Sequence, residues 1–305
     1  MRKNGNIEDL QVKFLKLCAP FLSMIATDLF NKCLNCGIFP ESYKLAIVTP
    51  IHKKNSKELV QNYRPISILK NMSKLFESLI YTRLSSVFYD GNLLSKNQFG
   101  FRRGKNTELA CLNLIDRIMP AFQNGGYAIC VFPDFTQCFD TLSRDIIIKK
   151  LHCYGLRGAS LDLLKSYFSD RRQCVRYKNN VSSICEQEIG TIQGSKTGPM
   201  YFDICSNDLN MICSNKENLL FADDTCLVYT GDDLDTLIAH VNSRLNTIVD
   251  WCNANKLSLN PNKSEFMILT NRPIENRPNL YLNNVPITEK NSVKYIPRTS
   301  HRQQT

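Results

Sequence analysis

An α+β fold is predicted by three features of the sequence. Apolar residues recur at helical spacing over long stretches, as in Leu234, Leu237, Ile238, Val241, Leu245, Ile248 and Trp251. Short runs rich in strand-favouring residues lie between such stretches, as in Tyr127-Ala128-Ile129-Cys130-Val131-Phe132. Two apolar runs flank Ala222-Asp223-Asp224, so residues 219–229 read as a β-hairpin. The 305 residues are 43% hydrophobic and 22% charged, enough to bury a core and too apolar for a disordered chain. No run of eighteen apolar residues occurs, so no membrane-spanning helix is expected, and Met1 to Asn6 lead into no signal peptide.

Taken in order, residues 7–36 read as one or two amphipathic helices, carrying Leu10, Phe14, Leu17, Phe21, Met24, Ile25, Leu29 and Leu34, with a break at Pro20. Gly37 and Pro40 end them. Residues 45–52 form a strand that Pro50 interrupts late, and Lys53-Lys54 opens a polar loop. A helix over 73–87 follows. Next comes Gln98-Phe99-Gly100-Phe101-Arg102-Arg103-Gly104-Lys105, whose glycines, aromatics and cations suit approach to a nucleic-acid backbone. A second helix covers 107–119. The central strand 127–132 leads to Pro133-Asp134. Helices over 143–153, capped by Ser143 or Thr141, and over 159–168 come after it. The basic run 171–178 has strand character. A glycine-rich loop, 190–199, precedes a helix running to residue 213, with Pro199 in its first turn. Asp232 and Asp233 cap the long helix after the hairpin, and 257–260 and 266–269 read as strands around Pro261-Asn262-Lys263.

Net charge is +10, and residues 41–110 hold twelve Lys/Arg against five Asp/Glu. Asp223, Asp224, Asp232, Asp233 and Asp235 cluster elsewhere. That polarity suits a polyanion held over a metal site, and it equally suits a basic protein with solvated faces. The thirteen cysteines are scattered, which points to a reducing compartment. Cys33-Leu34-Asn35-Cys36 is a lone pair on a helix and does not read as a zinc site. Adjacent aspartates beside apolar strands are costly unless a cation compensates. The hairpin alone fits a solvated turn or a carboxylate platform for a divalent metal. Asp134, at the end of another strand, can supply a further acid for two-metal phosphoryl transfer.

At these positions the chain resembles the reverse transcriptases of non-LTR (LINE-type) retrotransposons, from about Tyr43 to Tyr295. Asn62-Tyr63-Arg64-Pro65-Ile66-Ser67 and Gln98-Phe99-Gly100-Phe101-Arg102 resemble the two fingers motifs. Asp134-Phe135-Thr136-Gln137-Cys138-Phe139-Asp140 resembles motif A. Gln193-Gly194-Ser195 with Gly198-Pro199 resembles motif B, and Phe221-Ala222-Asp223-Asp224 resembles motif C. Lys263 falls where motif D carries its lysine. Each block alone is weak, and six in the family order are specific.

The resemblance implies a right-hand polymerase fold with fingers and palm, the palm an antiparallel sheet flanked by helices, and a thumb absent or truncated. It implies a helical extension over 1–40, fingers over 41–125, a palm over 126–271 with 159–189 contributing to the fingers, and a truncated thumb start and tail over 272–305. Asp134 and Asp223 would be metal ligands with Asp224 beside them, and Lys263 would protonate the leaving pyrophosphate. Lys53 or its neighbour Lys54, with Arg64, would contact the triphosphate. Phe135 would contact the substrate, Phe139 would exclude a ribose 2′-hydroxyl, and Gln193 and Gly194 would border the nascent base pair. Arg102, Arg103 and Lys105 would face nucleic acid, while Asp140 braces the following helix. The implied activity is RNA-directed DNA polymerase with Mg²⁺, Mn²⁺ being the other candidate ion. The implied partners are an RNA template, a DNA primer and dNTPs, with no membrane, in the nucleus, the cytoplasm or both. Oligomeric state is open. A catalytically inactive remnant that only binds nucleic acid is the alternative, and a nucleotide cyclase is disfavoured by the fingers-like blocks.

The sequence departs from the family pattern at several points. Pro133 stands at an aliphatic position, and proline there is expected to remove a ladder donor beside Asp134. Ile192 replaces a proline and Gln137 a lysine. Val293-Lys294-Tyr295-Ile296 resembles the start of the next block, but Pro297 stands in place of a glycine. From these features the expectation is a partial or truncated chain, without an endonuclease region ahead of the polymerase.

Overall fold

The computed structural model describes residues 11–53, 55–102, 104–214, 216–275 and 277–293. Lys54, Arg103 and the block from Lys294 to Pro297 lie outside the described residues. In chain order the strands are β1 (Leu45–His52), β2 (Tyr63–Ile68), β3 (Tyr127–Phe132), β4 (Arg172–Tyr177), β5 (Asn180–Val181), β6 (Cys185–Glu186), β7 (Asn218–Phe221), β8 (Asp224–Gly231), β9 (Glu265–Leu269), β10 (Tyr281–Leu282), β11 (Val285–Pro286) and β12 (Thr288–Glu289). Helices and sheets are both present, as an α+β chain requires. The chain divides into two compact units, one of 1–86 with 139–201 and one of 87–138 with 202–305.

The first unit holds a sheet in the order β2-β1-β4-β5, with β6 also on β4. β1 continues through Pro50 instead of stopping there. Pro50 lies opposite Pro65 on β2, beyond the Leu45–Val48 stretch that pairs with β4, so two donorless residues face each other and β4 loses no partner. The N-terminal helices are Val12–Leu17 and Ala19–Cys36, so the chain does break next to Pro20, at Cys18, and the proline stands in the first turn of the second helix. Their apolar spacing does not mark a buried face: Leu17, Phe21 and Met24 are each more than three-quarters exposed, while Ala26, Phe30 and Cys33 are buried.

Arg171, read as the start of a basic strand, is fully buried in this unit. Its guanidinium stacks 4.1 Å from the Tyr167 ring centroid, and its Nε donates to the Tyr167 carbonyl at 2.6 Å. Glu77, buried nearby, accepts from the Tyr167 hydroxyl at 2.9 Å, and its carboxylate lies 4.0 Å from Arg171 Nη2. Burial raises the Glu77 pKa, and the Arg171 charge opposes that rise.

The second unit is built on the sheet β12-β9-β3-β8-β7, antiparallel except where β12 meets β9. β3 is central because its near-continuous apolar run can be covered on both faces. Cys130, Leu219, Cys226 and Val228 pack with Phe99 and Ala110 in one core, on which Leu114 and Ile118 of helix Thr107–Gln123 also rest. Strand alternation turns Ile129 and Tyr229 to the other face, where Tyr229 meets His240 of helix Leu234–Ala254 edge-on. All thirteen cysteines are free thiols.

Five local expectations are corrected. Helix Thr107–Gln123 runs through Pro120. The helix after Pro199 is two, Gly198–Ser206 and Leu209–Ile212, and the helix begun at Asn71 ends at Ser85. Residues 257–260 make no strand, only a single bridge between Leu259 and Phe135, flanked by the bonds from Thr136 N–H to the Ser258 carbonyl and from Asn260 N–H to the Asp134 carbonyl; the Asn260 carbonyl already belongs to the turn that follows. Pro133 removes no ladder donor: the last β3 pairs are Val131 with Leu227 and Phe132 with Glu265, so the proline stands just past them.

Candidate functional site

The second unit brings Asp134, Asp223, Asp224 and Lys263 together. β3 and β8 are antiparallel neighbours, so the residue just after β3 and the residues that open β8 meet at one end of the sheet. Asp134 is fixed through its backbone. Its N–H donates to Ser264 Oγ at 3.0 Å, and its carbonyl accepts from Asn260 N–H at 2.8 Å. Lys263 sits inside that same 260–264 turn, its N–H on the Asn260 carbonyl at 3.1 Å. The connection that anchors Asp134 thus also carries the lysine beside it.

The carboxylates act on one another. Burial pushes Asp224 up to about 6, with the charges of Asp223 and then Asp134 adding to the rise. Burial likewise raises Asp134, Lys263 lowers it, and Asp223 raises it again. Three hard oxygen donors whose negative charges act on one another have the chemistry of a divalent-cation site, such ions taking carboxylate oxygens and completing their shell with water and substrate phosphates. Among the described residues no three ligating side chains close into a ready-made cage. The fit therefore rests on the three carboxylates that the β3–β8 and β7–β8 registers set at one end of the sheet. Phe135, next to Asp134, sets its ring edge-on to Phe202 at 6.4 Å.

The first unit holds the other predicted substrate residues. Gln193 Nε2 donates to Asp140 Oδ2 at 3.0 Å, so Asp140 braces this glutamine. Burial raises the Asp140 pKa, while Gln193 and the Lys53 charge lower it. The Gln193 carbonyl accepts from Ser67 N–H at 2.9 Å, which seats the glycine-rich loop on β2, the strand that carries exposed Arg64. Gly194 takes φ +99° there, and a Cβ on it would lie 3.1 Å from the Ser67 carbonyl oxygen, so a side chain would be strained. The Phe139 carbonyl accepts from Thr191 N–H at 2.8 Å, tying the predicted gate residue to that loop.

The predicted nucleic-acid residues are partly spent inside the second unit. Arg102 donates to the Ser95 carbonyl and lies 5.9 Å from the Tyr89 ring centroid. Lys105 lies 4.2 Å from the Phe99 ring centroid and donates to the Lys96 carbonyl at 3.2 Å; burial lowers its pKa. Arg103 lies outside the described residues. Sequence reasoning missed Ser264, the anchor of Asp134, because a serine after a turn lysine carries no signal. It also missed Asp203, whose buried carboxyl accepts from the Tyr89 hydroxyl at 3.3 Å and whose pKa burial raises well above the usual range.

Carboxylates at the end of an antiparallel sheet, with motif blocks in order around them, define the class. The chain belongs to the family Reverse transcriptase (RNA-dependent DNA polymerase), whose model matches residues 51–297. It is similar to the probable RNA-directed DNA polymerase from transposon BS of Drosophila melanogaster, at 30% identity over all of this chain and 34% of that protein. The probable RNA-directed DNA polymerase from transposon X-element of the same species is 29% identical over 88% of this chain and 30% of its own length. The RNA-directed DNA polymerase from mobile element jockey, also of that species, is 28% identical over 93% of this chain and 31% of its length. The chain spans about a third of the length of the curated relatives it matches.

Proposed function

We propose that this chain is the polymerase portion of a non-LTR retrotransposon enzyme and extends a DNA 3′-end with dNTPs on an RNA template. The observation that carries the reading is the convergence of Asp134, Asp223 and Asp224 at one end of the second unit's sheet in a chain of this family. The second unit's sheet, whose strands β3, β7, β8 and β9 fall within 126–271, is read as the palm, and the β1–β2 region as fingers. The 272–305 segment is read as the start of a thumb.

Asp134 and Asp223 would hold Mg²⁺ ions, with Asp224 beside them. Such ions supply activation of the primer 3′-hydroxyl and stabilisation of the leaving oxygen. Lys263, held beside Asp134 by the 260–264 turn, would deliver a proton to the departing pyrophosphate. Lys53 and Arg64 would neutralise the triphosphate. Gln193 and Gly194 would border the new base pair, and Phe139 would crowd a ribose 2′-hydroxyl. The inactive-remnant alternative loses one support, since Pro133 leaves the β3 ladder and the Asp134 backbone bonds in place.

The test is primer extension on an RNA template by the full chain with Mg²⁺. Asp134→Ala and Asp223→Ala should each lower the rate by at least about a hundred-fold, the scale of losing one preorganised electrostatic group. Extension that survives both substitutions overturns the site assignment. RNA binding with no extension at any metal concentration overturns the polymerase reading.

A further inference from the structure

We propose that Gln98 is a positioning residue for the Asp223-Asp224 turn: its side-chain amide holds the Ala222 backbone so that the carboxylates after it can take a divalent ion. The inference deepens the metal-site reading above and rests on it.

Ala222 adopts φ +58°, a left-handed conformation that alanine reaches only at a cost. A tight hairpin turn normally meets that demand with Asn or Gly, and this one does not. Strained backbone persists where its surroundings over-determine it, and here the segment before Gly100 does so. Gln98 forms a parallel bridge with Leu220 of β7. Phe99 N–H donates to the Leu220 carbonyl at 2.7 Å, and Leu220 N–H donates to the Asn97 carbonyl at 2.9 Å. From that fixed backbone the Gln98 side chain reaches the turn. Its Oε1 accepts from Ala222 N–H at 3.1 Å and from Gly100 N–H at 2.8 Å. Two backbone donors on one oxygen fix the orientation of the amide, and the residue is only 3% exposed.

The approach is close enough to dictate the neighbouring residue. A Cβ on Gly100 would lie 2.2 Å from the Ala222 nitrogen, so only glycine fits there. Behind the segment, Asn97 Nδ2 donates to Asn218 Oδ1 at 2.8 Å, and Arg117 donates to Asn97 Oδ1 at 3.0 Å and to the Asn218 carbonyl at 2.6 Å. Gln98 therefore stands on a pinned base. Because Ala222 immediately precedes Asp223, rotation at Ala222 swings both carboxylates. The Gln98-Phe99-Gly100 part of the motif thus supports the acidic turn, rather than facing nucleic acid.

The experiment titrates Mn²⁺ into the full chain without nucleic acid, reads free Mn²⁺ by electron paramagnetic resonance, and follows amide exchange through 218–226. Gln98→Met keeps length and removes the acceptor. It should weaken Mn²⁺ binding about ten-fold, as loss of a supporting hydrogen bond does around metal ligands, and speed exchange at Ala222. Gln98→Glu, which keeps an oxygen acceptor, should restore slower exchange than Gln98→Met. A Gln98→Met protein that binds Mn²⁺ within about two-fold of wild type overturns the proposal. If that variant does not fold, the wild-type protein decides: slow exchange of the Ala222 amide supports the brace, and exchange as fast as a solvated turn overturns it. Asp223→Asn separates the two readings. If it binds Mn²⁺ as tightly as wild type, the metal reading fails and the proposal falls with it, whereas full affinity confined to Gln98→Met sinks the brace alone.

Discussion

Asp203 and Arg171 are charged residues that the fold takes out of water, and each predicts a measurable response. The Asp203 carboxyl is raised chiefly by burial, with Tyr89 and Arg102 opposing the shift. In the folded chain it therefore keeps its proton at pH values where the unfolded chain has released it. Stability is full below the ordinary aspartate range and falls as pH rises through and above it. Asp203→Asn should flatten that fall and raise the neutral-pH melting temperature by about 2–4 °C, equivalent to about 1 kcal/mol, in calorimetric scans at pH 4 and pH 7. Arg171→Leu should do the reverse in the first unit. It leaves Glu77 buried without its cation, at a cost of about 3–5 kcal/mol in denaturant unfolding. Phe139→Ala tests the nucleotide gate. Under the proposed function it should raise the kcat/KM for ribonucleotides by at least about ten-fold relative to deoxynucleotides, and an unchanged ratio sinks that role.

At the scale of elements, the Asp223-Asp224 hairpin is held from outside rather than by its own turn residues. Its neighbour, helix Leu234–Ala254, is locally determined. Asp233 stands at its N-cap and accepts from Thr236 N–H at 2.8 Å, which depresses its own pKa. Asp233→Ala should destabilise the helix, read as a lower denaturant midpoint with unchanged slope. The cap also divides the acidic cluster by role. Asp233 serves a helix end, and the carboxylates that influence one another are Asp134, Asp223 and Asp224. Strand boundaries followed the same division. β3 and β8 were legible because apolar runs with fixed ends specify strands. The 257–260 stretch makes only one bridge, to Phe135, before its Asn260 carbonyl turns into the connection that carries Lys263.

At the scale of the whole molecule, the +10 net charge sets the expected partner class and the conditions under which it binds. Affinity for an RNA template–DNA primer should fall by at least about ten-fold between 50 and 200 mM salt, measured by filter binding, as release of condensed counterions requires. A salt-independent affinity would remove the polyanion from the reading. Among the described residues no helix is long and apolar enough to cross a membrane.

Much of this protein was determined by local sequence. Apolar period and fixed strand ends gave the alternation of helices and strands, and the motif blocks in order gave the family and the acids Asp134, Asp223 and Asp224. The tertiary structure decided what those residues are attached to. Only packing put Arg171 and Asp203 in the interior, turned Phe21 and Met24 outward, and made Pro50 and Pro133 harmless to their ladders. Only the long-range register joined Ser264 to Asp134 and Gln98 to Ala222. The physical reason is that periodicity reports which face of an element is apolar, whereas hydrogen bonds between residues more than a hundred positions apart depend on which elements become neighbours. A side chain such as Gln98 acquires its role only once β7 lies beside it.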